Sequence, residues 1–285
     1  MSLIHSLLAA FYPVLRLHNN LLRQFGVKSD ARLRVLIYHD IAPQDQETFA
    51  TQLRWMAQSW TFVSPQLFTA MIRGDYPING ANLLLTFDDG FTSNRKVVEE
   101  VLNPIGIKAL FFVVSAFVDI AGGDNYQAFV ARHIWPGLLP DAVPDHWRNM
   151  TWDDLSWLLE CGHTIGAHTR THARLSELAE ATKLEEEIIA CANVLEQKLG
   201  VAIEHFAYPF GNLASISPAA QAIARRRFKY IYTGLRGDNA RPAPPWALRR
   251  DHIEPTHVSG LIGAFLEGGA DMHYTRKISQ YESWG

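Results

Sequence analysis

Cysteine is nearly absent from this 285-residue chain, with Cys161 and Cys191 its only two. Thiols thirty residues apart form neither a disulfide framework nor a four-ligand zinc site, and the spacing is not that of a CxxC redox pair. Both are expected as small core residues, and they leave the redox compartment open. An excess of one charge sign is also missing: 26 Lys and Arg stand against 29 Asp and Glu. Such a chain has no general positive field for phosphate backbones, so nucleic acid is not an expected partner. Low-complexity tracts and short-period repeats are lacking too, which excludes disordered, collagenous and solenoid chains. No apolar run is long enough to cross a bilayer, because the stretch Leu3 to Leu15 is broken by Arg16, His18, Asn19 and Asn20. That stretch also has no Lys or Arg before it and no A-x-A site after it, so it does not match a signal peptide. Residues 1–30 are expected to form an amphipathic helix, packed on the domain in preference to lying on a membrane surface, although peripheral membrane contact stays open. The pattern favours a cytoplasmic or membrane-peripheral location over secretion and says nothing of oligomeric state.

From residue 31 onward, short apolar runs alternate with amphipathic stretches, the pattern of repeated β/α units. Seven runs read as strands: Leu33–Tyr38, Thr61–Val63, Leu83–Phe87, Ala109–Val114, Thr164–Ala167, His205–Ala207 and Tyr230–Thr233. Seven such units suggest a parallel barrel with cover helices. The longest helix is expected over Leu178 to Leu199, stopped by Gly200. Residues 119–148 break the repeat, since Gly122, Gly123, Pro136, Pro140 and Pro144 interrupt what a single β/α connection would span. This insertion is expected either to shape a groove through Tyr126, Phe129, Trp135 and Trp147, or to hold itself together as a small apolar cluster. No linker divides residues 31–285, which read as one domain.

Three segments carry chemistry. Leu85 to Gly90 is an apolar strand that runs into Asp88 and Asp89; carboxyl ends of parallel strands are where α/β sites are built, and adjacent acids can divide metal ligation from proton transfer. Gly162 to His172 is a second strand running into His168 and His172, four apart. On a helical turn that spacing sets both imidazoles on one face, able to chelate a divalent ion with an oxygen ligand from elsewhere. Thr169 occupies the place of a zincin's Glu, so the general base must come from another segment. The third segment, Phe206 to Gly211, is a rigid aromatic turn suited to one wall of a groove for a sugar ring.

In this order and spacing, Thr86 to Gly90, His168 to His172 and Ala207 to Phe210 resemble the three motifs of the NodB-type polysaccharide deacetylases, carbohydrate esterase family 4. The resemblance extends from Leu33 to about Ile253. It implies a distorted (β/α)7 barrel and hydrolysis of an N-acetyl, or sometimes O-acetyl, group on a glycan. By resemblance Asp88 is the catalytic base, and Asp89, His168 and His172 hold a divalent metal, zinc before cobalt, nickel or iron. The backbone N–H of Tyr208 is then the oxyanion donor, with Pro209, Phe210 and Trp152 lining the groove.

The chain departs from the family pattern twice. Ala207 stands where the Arg that orients the base is usual, and Arg249 or, preferably, Arg250 is the candidate to replace it. A C-terminal Leu-x-His element is missing, while Leu36-Ile37-Tyr38-His39 closes the first strand of the domain. That permuted order resembles the deacetylases of biofilm poly-N-acetylglucosamine. It makes His39 the candidate general acid, with His252 the alternative. The expected activity is metal-dependent N-deacetylation of an amino sugar in a polysaccharide or lipid-linked glycan. Its rivals are deformylation of a lipid-linked aminosugar and glycan binding without catalysis.

Overall fold

The computed structural model describes residues 3–120, 125–240 and 243–285. Gly122 and Gly123, expected within the insertion, lie outside the described residues. The helices are α1 (Leu3–Gln24), α2 (Gln46–Ala57), α3 (Pro65–Arg73), α4 (Thr92–Val97), α5 (Ser115–Val118), α6 (Tyr126–Phe129), α7 (Trp152–Glu160), α8 (Ala181–Leu199), α9 (Pro218–Arg227), α10 (Ser259–Leu266) and α11 (Thr275–Glu282). The strands are β1 (Arg32–Tyr38), β2 (Thr61–Phe62), β3 (Ala81–Phe87), β4 (Leu110–Val113), β5 (Thr164–Ala167), β6 (His205–Ala207), β7 (Tyr230–Tyr232) and β8 (Asp251–His252). All pair in parallel in the order β7-β6-β5-β4-β3-β1-β8, with β2 beside β3.

The curled sheet meets itself. Leu248 bridges to Tyr232 on β7, and three residues later β8 pairs with Leu36 and Ile37 of β1, so the segment Leu248–His252 joins the two edges. This gives the distorted seven-stave barrel expected, with one substitution among its staves. The run Thr61–Val63 lies outside the ring, against Asn82 and Leu83 of β3. Its place is taken by Leu248–His252, which contains no apolar run and so gives no strand signal.

Side-chain alternation divides each strand between two apolar layers. Leu33, Val35, Leu84, Leu110, Phe112, Tyr232 and Leu248 fill the barrel interior, whereas Leu36, Tyr38, Leu85, Phe87, Phe111, Val113 and Ile165 pack outward against the helices. Gly166 faces inward, where a Cβ would come within 2.7 Å of the Phe112 ring. The same alternation turns Asp88, His168 and Arg250 inward at the top of the barrel. Cys191 is in the core, but Cys161 is only half-buried at the end of α7, so its expected core position does not hold. The insertion divides its aromatic residues between the two expectations. Tyr126 joins Phe91, Phe117 and Val130 in a separate cluster with Phe129 at its edge, while Trp135 and Trp147 remain at a cleft.

As expected, α1 packs on the domain. It lies along α10, where Gly260 and Gly263 let the helices approach: a Cβ would sit 2.9 Å from the Ala9 carbonyl oxygen and 2.4 Å from the Tyr12 ring, respectively. Buried Asn19 anchors its far end, donating to the Glu267 backbone oxygen and carboxylate. Among the described residues, no helix is long and apolar enough to cross a membrane. We expect Gly263→Val to push α1 off α10 at a cost of about 1–3 kcal/mol. Limited proteolysis checks this: cleavage within residues 1–30 should accelerate while the barrel resists, and unchanged cleavage would mean that the contact does not hold the helix.

Candidate active site

Most candidate groups emerge where a strand ends. β1 delivers His39 and Asp40, β3 delivers Asp88 and Asp89, β5 delivers His168, β6 delivers Tyr208 to Phe210, and β8 ends in His252. The chain must turn abruptly after three of these strands. Asp89, Thr169, His172 and Phe210 all have left-handed backbones, with φ between 60° and 75°. Such conformations cost non-glycine residues about 1–3 kcal/mol each and gather at functional sites. The segment from His168 to His172 is therefore not the helical turn expected from its spacing. It is an irregular loop, and two left-handed residues bring the imidazoles together.

Asp89, His168 and His172 are buried and present one ligand atom each, all within 4.8 Å of one another. Nδ1 of His168 faces the Ala207 carbonyl oxygen at 2.8 Å, and Nδ1 of His172 faces that of His133 at 3.0 Å. A carbonyl only accepts, so each Nδ1 carries the proton and each Nε2 is left a lone pair. Burial holds the two imidazoles near pKa 4 and 3, keeping them neutral at pH 7. Their Nε2 atoms lie 3.5 and 3.4 Å from Asp89 Oδ1. Both Asp89 Oδ1 and His168 Nε2 are buried with no hydrogen-bond partner. Two neutral imidazoles and one carboxylate separated by about the edge of a tetrahedral zinc shell suit a divalent ion, so the donor set fits a metal.

Beside this cluster, Arg250 holds Asp88 in a bidentate grip, with Nη1 to Oδ1 at 2.7 Å and Nη2 to Oδ2 at 2.9 Å. The guanidinium is itself fixed by the Thr233 carbonyl oxygen at 3.0 Å. Burial opposes charge on Asp88, but Arg250, aided by His168, brings its carboxyl down to about 2. For Asp89 burial and the Asp88 charge act together and raise the carboxyl well above its usual range. His39 and His252 stack edge to face with ring centroids 5.2 Å apart.

A cleft of about 630 Å³ opens over Asp88, Arg250, His39 and His252, lined also by Trp135, Tyr208 and Phe210, while Asp89, His168 and His172 lie outside its lining. The geometry corrects two sequence expectations. The Tyr208 N–H is spent in the β6–β7 ladder, donating to the Tyr232 carbonyl oxygen at 3.2 Å, so it is not free for an oxyanion. Trp152 and Pro209 do not line the cleft: the Trp152 indole starts α7 and donates to Asp119, while the Pro209 carbonyl accepts from Ser215. Sequence reasoning also missed supporting groups. The His133 carbonyl comes from the insertion, and Glu187 on α8 holds the loop between the histidines by accepting from the Thr171 N–H and hydroxyl. Neither has a local signal. Asp40, which accepts from the Trp147 indole at the cleft wall, could have been found because it follows His39 at the same strand end.

A parallel α/β barrel with acids and imidazoles converging at the carboxyl ends of its strands has the layout of a barrel enzyme. The family model for polysaccharide deacetylase matches residues 76–227, more than half of the chain, and the protein therefore belongs to that family. It is a carbohydrate deacetylase by class. YxkH of Bacillus subtilis (strain 168) is 21% identical over 252 residues, which cover 83% of this chain and 77% of that one. The fold is shared with IcaB from Ammonifex degensii, at a TM-score of 0.67 and 23% identity over 84% of this chain and 98% of that one. It is also shared with the BpsB deacetylase domain from Bordetella bronchiseptica, at a TM-score of 0.65 and 19% identity over 79% and 97%.

Removing the guanidinium in Arg250→Ala leaves Asp88 as a buried carboxylate without its partner. We expect a loss of about 3–5 kcal/mol in urea unfolding, several times that of an average surface substitution. A loss under about 1 kcal/mol would mean that the pair does not support the barrel's closure.

Proposed function

We propose that this protein is a metal-dependent N-deacetylase of amino-sugar glycans, with Asp88 as base, His39 as acid and Asp89, His168 and His172 as metal ligands. The observation that carries the reading is the pair of orphaned buried atoms, Asp89 Oδ1 and His168 Nε2, set beside an ionised Asp88. A protein that only bound glycan would carry that cost without return, which disfavours a binding-only role. The ion, when bound, supplies Lewis acidity toward an acetyl carbonyl and a water; zinc suits these ligands best, and cobalt, nickel or iron would also be accepted. Asp88 takes the proton of the attacking water. Arg250 keeps that carboxylate charged and pointed at its target, filling the role left vacant by Ala207. An amine cannot leave as an anion, so the leaving nitrogen needs a proton, and we assign that proton to His39, whose position in the cleft lining supports the assignment. For the oxyanion, Phe210 replaces Tyr208: its N–H has no acceptor among the described residues, and its ring lies 4.7 Å from that of His172. Trp135, beside the cleft, offers a flat face to a sugar ring.

The test is acetate release from N-acetylglucosamine oligomers by the metal-loaded protein. Asp88→Asn should slow turnover about 10²–10⁴-fold, and His39→Ala should slow it by a similar order. Turnover undiminished in Asp88→Asn would sink the mechanism, whereas release of formate from N-formyl sugars in place of acetate would move the reading to a deformylase. Independently of activity, equilibrium dialysis against zinc should find a tight site in the wild type that is weakened at least about 10–100-fold in His172→Ala.

A further inference from the structure

We propose that a pocket on the outer flank of the barrel binds the dianionic phosphate group of a phosphate monoester. The inference does not rest on the reaction assigned above, and the pocket shares no lining residue with the cleft. About 440 Å³ in volume, it lies where the segment after α1 and the start of β1 meet α10 and α11. Its wall carries six cations, Arg23, Lys28, Arg32, Arg34, Arg236 and Arg249. From α11 come Thr275 and Ser279, four apart and so on one face of the helix, whose hydroxyls can also donate. Guanidinium, ammonium and hydroxyl groups together are a donor set suited to phosphate oxygens.

Acidic side chains line the pocket too, and their pairing locates the excess charge. Asp271 accepts two hydrogen bonds of 2.9 Å from Arg34, and Glu282 accepts one of 3.2 Å from Arg249. Behind the wall, Asp251 answers both Arg34 and Arg236. That leaves Arg23, Lys28 and Arg32 around the single carboxylate of Glu267. Arg23 and Arg32 take its two oxygens at 2.5 and 2.9 Å, whereas the Lys28 ammonium donates only to Asn19 Oδ1, at 3.0 Å. Asp238 spends Oδ1 on the backbone N–H groups of Leu33 and Ala240, and its charge acts on Lys28 and Arg32 more weakly than that of Glu267 does. Three cations on one carboxylate leave a local excess of two, which matches a phosphate monoester and exceeds what a carboxylate ligand would neutralise. Burial, and next the Arg23 charge, lower the Lys28 pKa, as expected of an ammonium among like charges. The Nε atoms of Arg23, Arg32 and Arg249 are also buried without a hydrogen-bond partner, so this wall has donors in surplus and acceptors in deficit. A phosphate brings both the negative charge and the acceptor oxygens that the wall lacks.

Isothermal titration calorimetry of the full chain with inorganic phosphate at constant ionic strength tests this, with nitrate as a monoanion beside it. Lys28→Gln removes the ammonium from a half-buried side chain between α1 and β1 and should keep the wild-type melting temperature. We expect phosphate to bind at least about tenfold more tightly than nitrate, and Lys28→Gln to weaken it at least about tenfold, the worth of one hydrogen bond to a charged group. His172→Ala, which alters the candidate metal cluster, should leave phosphate binding unchanged. Absence of phosphate binding would overturn the proposal, as would equal binding by Lys28→Gln. So would a loss confined to His172→Ala, which would place the anion at the metal cluster. Glycerol phosphate in solution and vesicles of phosphatidylcholine with phosphatidic acid separate the two sources of the same group. A wild type that binds the first takes a soluble ester, and one that pellets with the second, where Lys28→Gln does not, takes a lipid headgroup.

Discussion

The barrel closes through charge. Its seventh stave, Leu248–His252, is gripped on both faces by buried arginine–aspartate pairs: outward, Arg34 binds Asp251 through two hydrogen bonds of 2.7 and 2.9 Å, and inward, Arg250 binds Asp88. Buried ion pairs are poor devices for stability alone, since well-packed apolar residues of similar volume often do as well or better. Here they set geometry. The strand β8 is only two residues long, and a one-residue slip would turn Arg250 to the helix layer and Asp251 to the cleft. Arg34 on the outer face of β1 resists that slip by holding Asp251. The outer pair therefore protects the register on which the inner pair depends, and the inner pair keeps Asp88 ionised beneath the cleft.

Metal-type geometry at the neighbouring cluster is imposed in the same indirect way. The three candidate ligand side chains follow two strand ends, but their aim is set by groups from elsewhere: the carbonyl of Ala207 on β6, the carbonyl of His133 in the insertion, and Glu187 on α8. The insertion thus contributes to the site in two ways, orienting His172 and forming the aromatic wall at Trp135 and Trp147. Left-handed residues at Asp89, Thr169 and His172 are tolerable because the surrounding core is fully packed, with Phe111, Val113 and Leu175 almost wholly buried around the strand ends.

This division explains what could be read from the sequence. Asp88, Asp89, His168 and His172 were legible because each follows an apolar run, and a run ending in acids or imidazoles is a strong local signal. The closing stave was not, because a strand whose inward and outward residues are Arg250 and Asp251 has no hydrophobic pattern; only the structure shows that it replaces Thr61–Val63 in the ring. Tyr208 and Trp152 failed for a different reason. Whether an N–H is spent in a ladder, or an indole turns to Asp119 instead of the cleft, depends on neighbours distant in sequence. The helical reading of His168 to His172 failed likewise, since i, i+4 spacing fits a chelating loop as well as a helix.

In the reaction proposed above two histidines are candidates for the proton that an amine leaving group requires, and their surroundings rank them. His252 is held to about 3, first by burial and then by the positive fields of His39, Arg236 and His257; Asp88 opposes these only weakly. His39 is also lowered, again first by burial, but the Asp88 charge is the next influence on it and acts in the opposite direction. With the rings 5.2 Å apart, a proton on one disfavours a proton on the other, so the pair carries at most one near neutral pH. Asp88 biases that proton toward His39. The carboxylate that would accept a proton from water thereby favours the imidazole that would deliver one to nitrogen; Arg250 keeps that carboxylate charged, while its own positive field acts on His39 in the opposite sense.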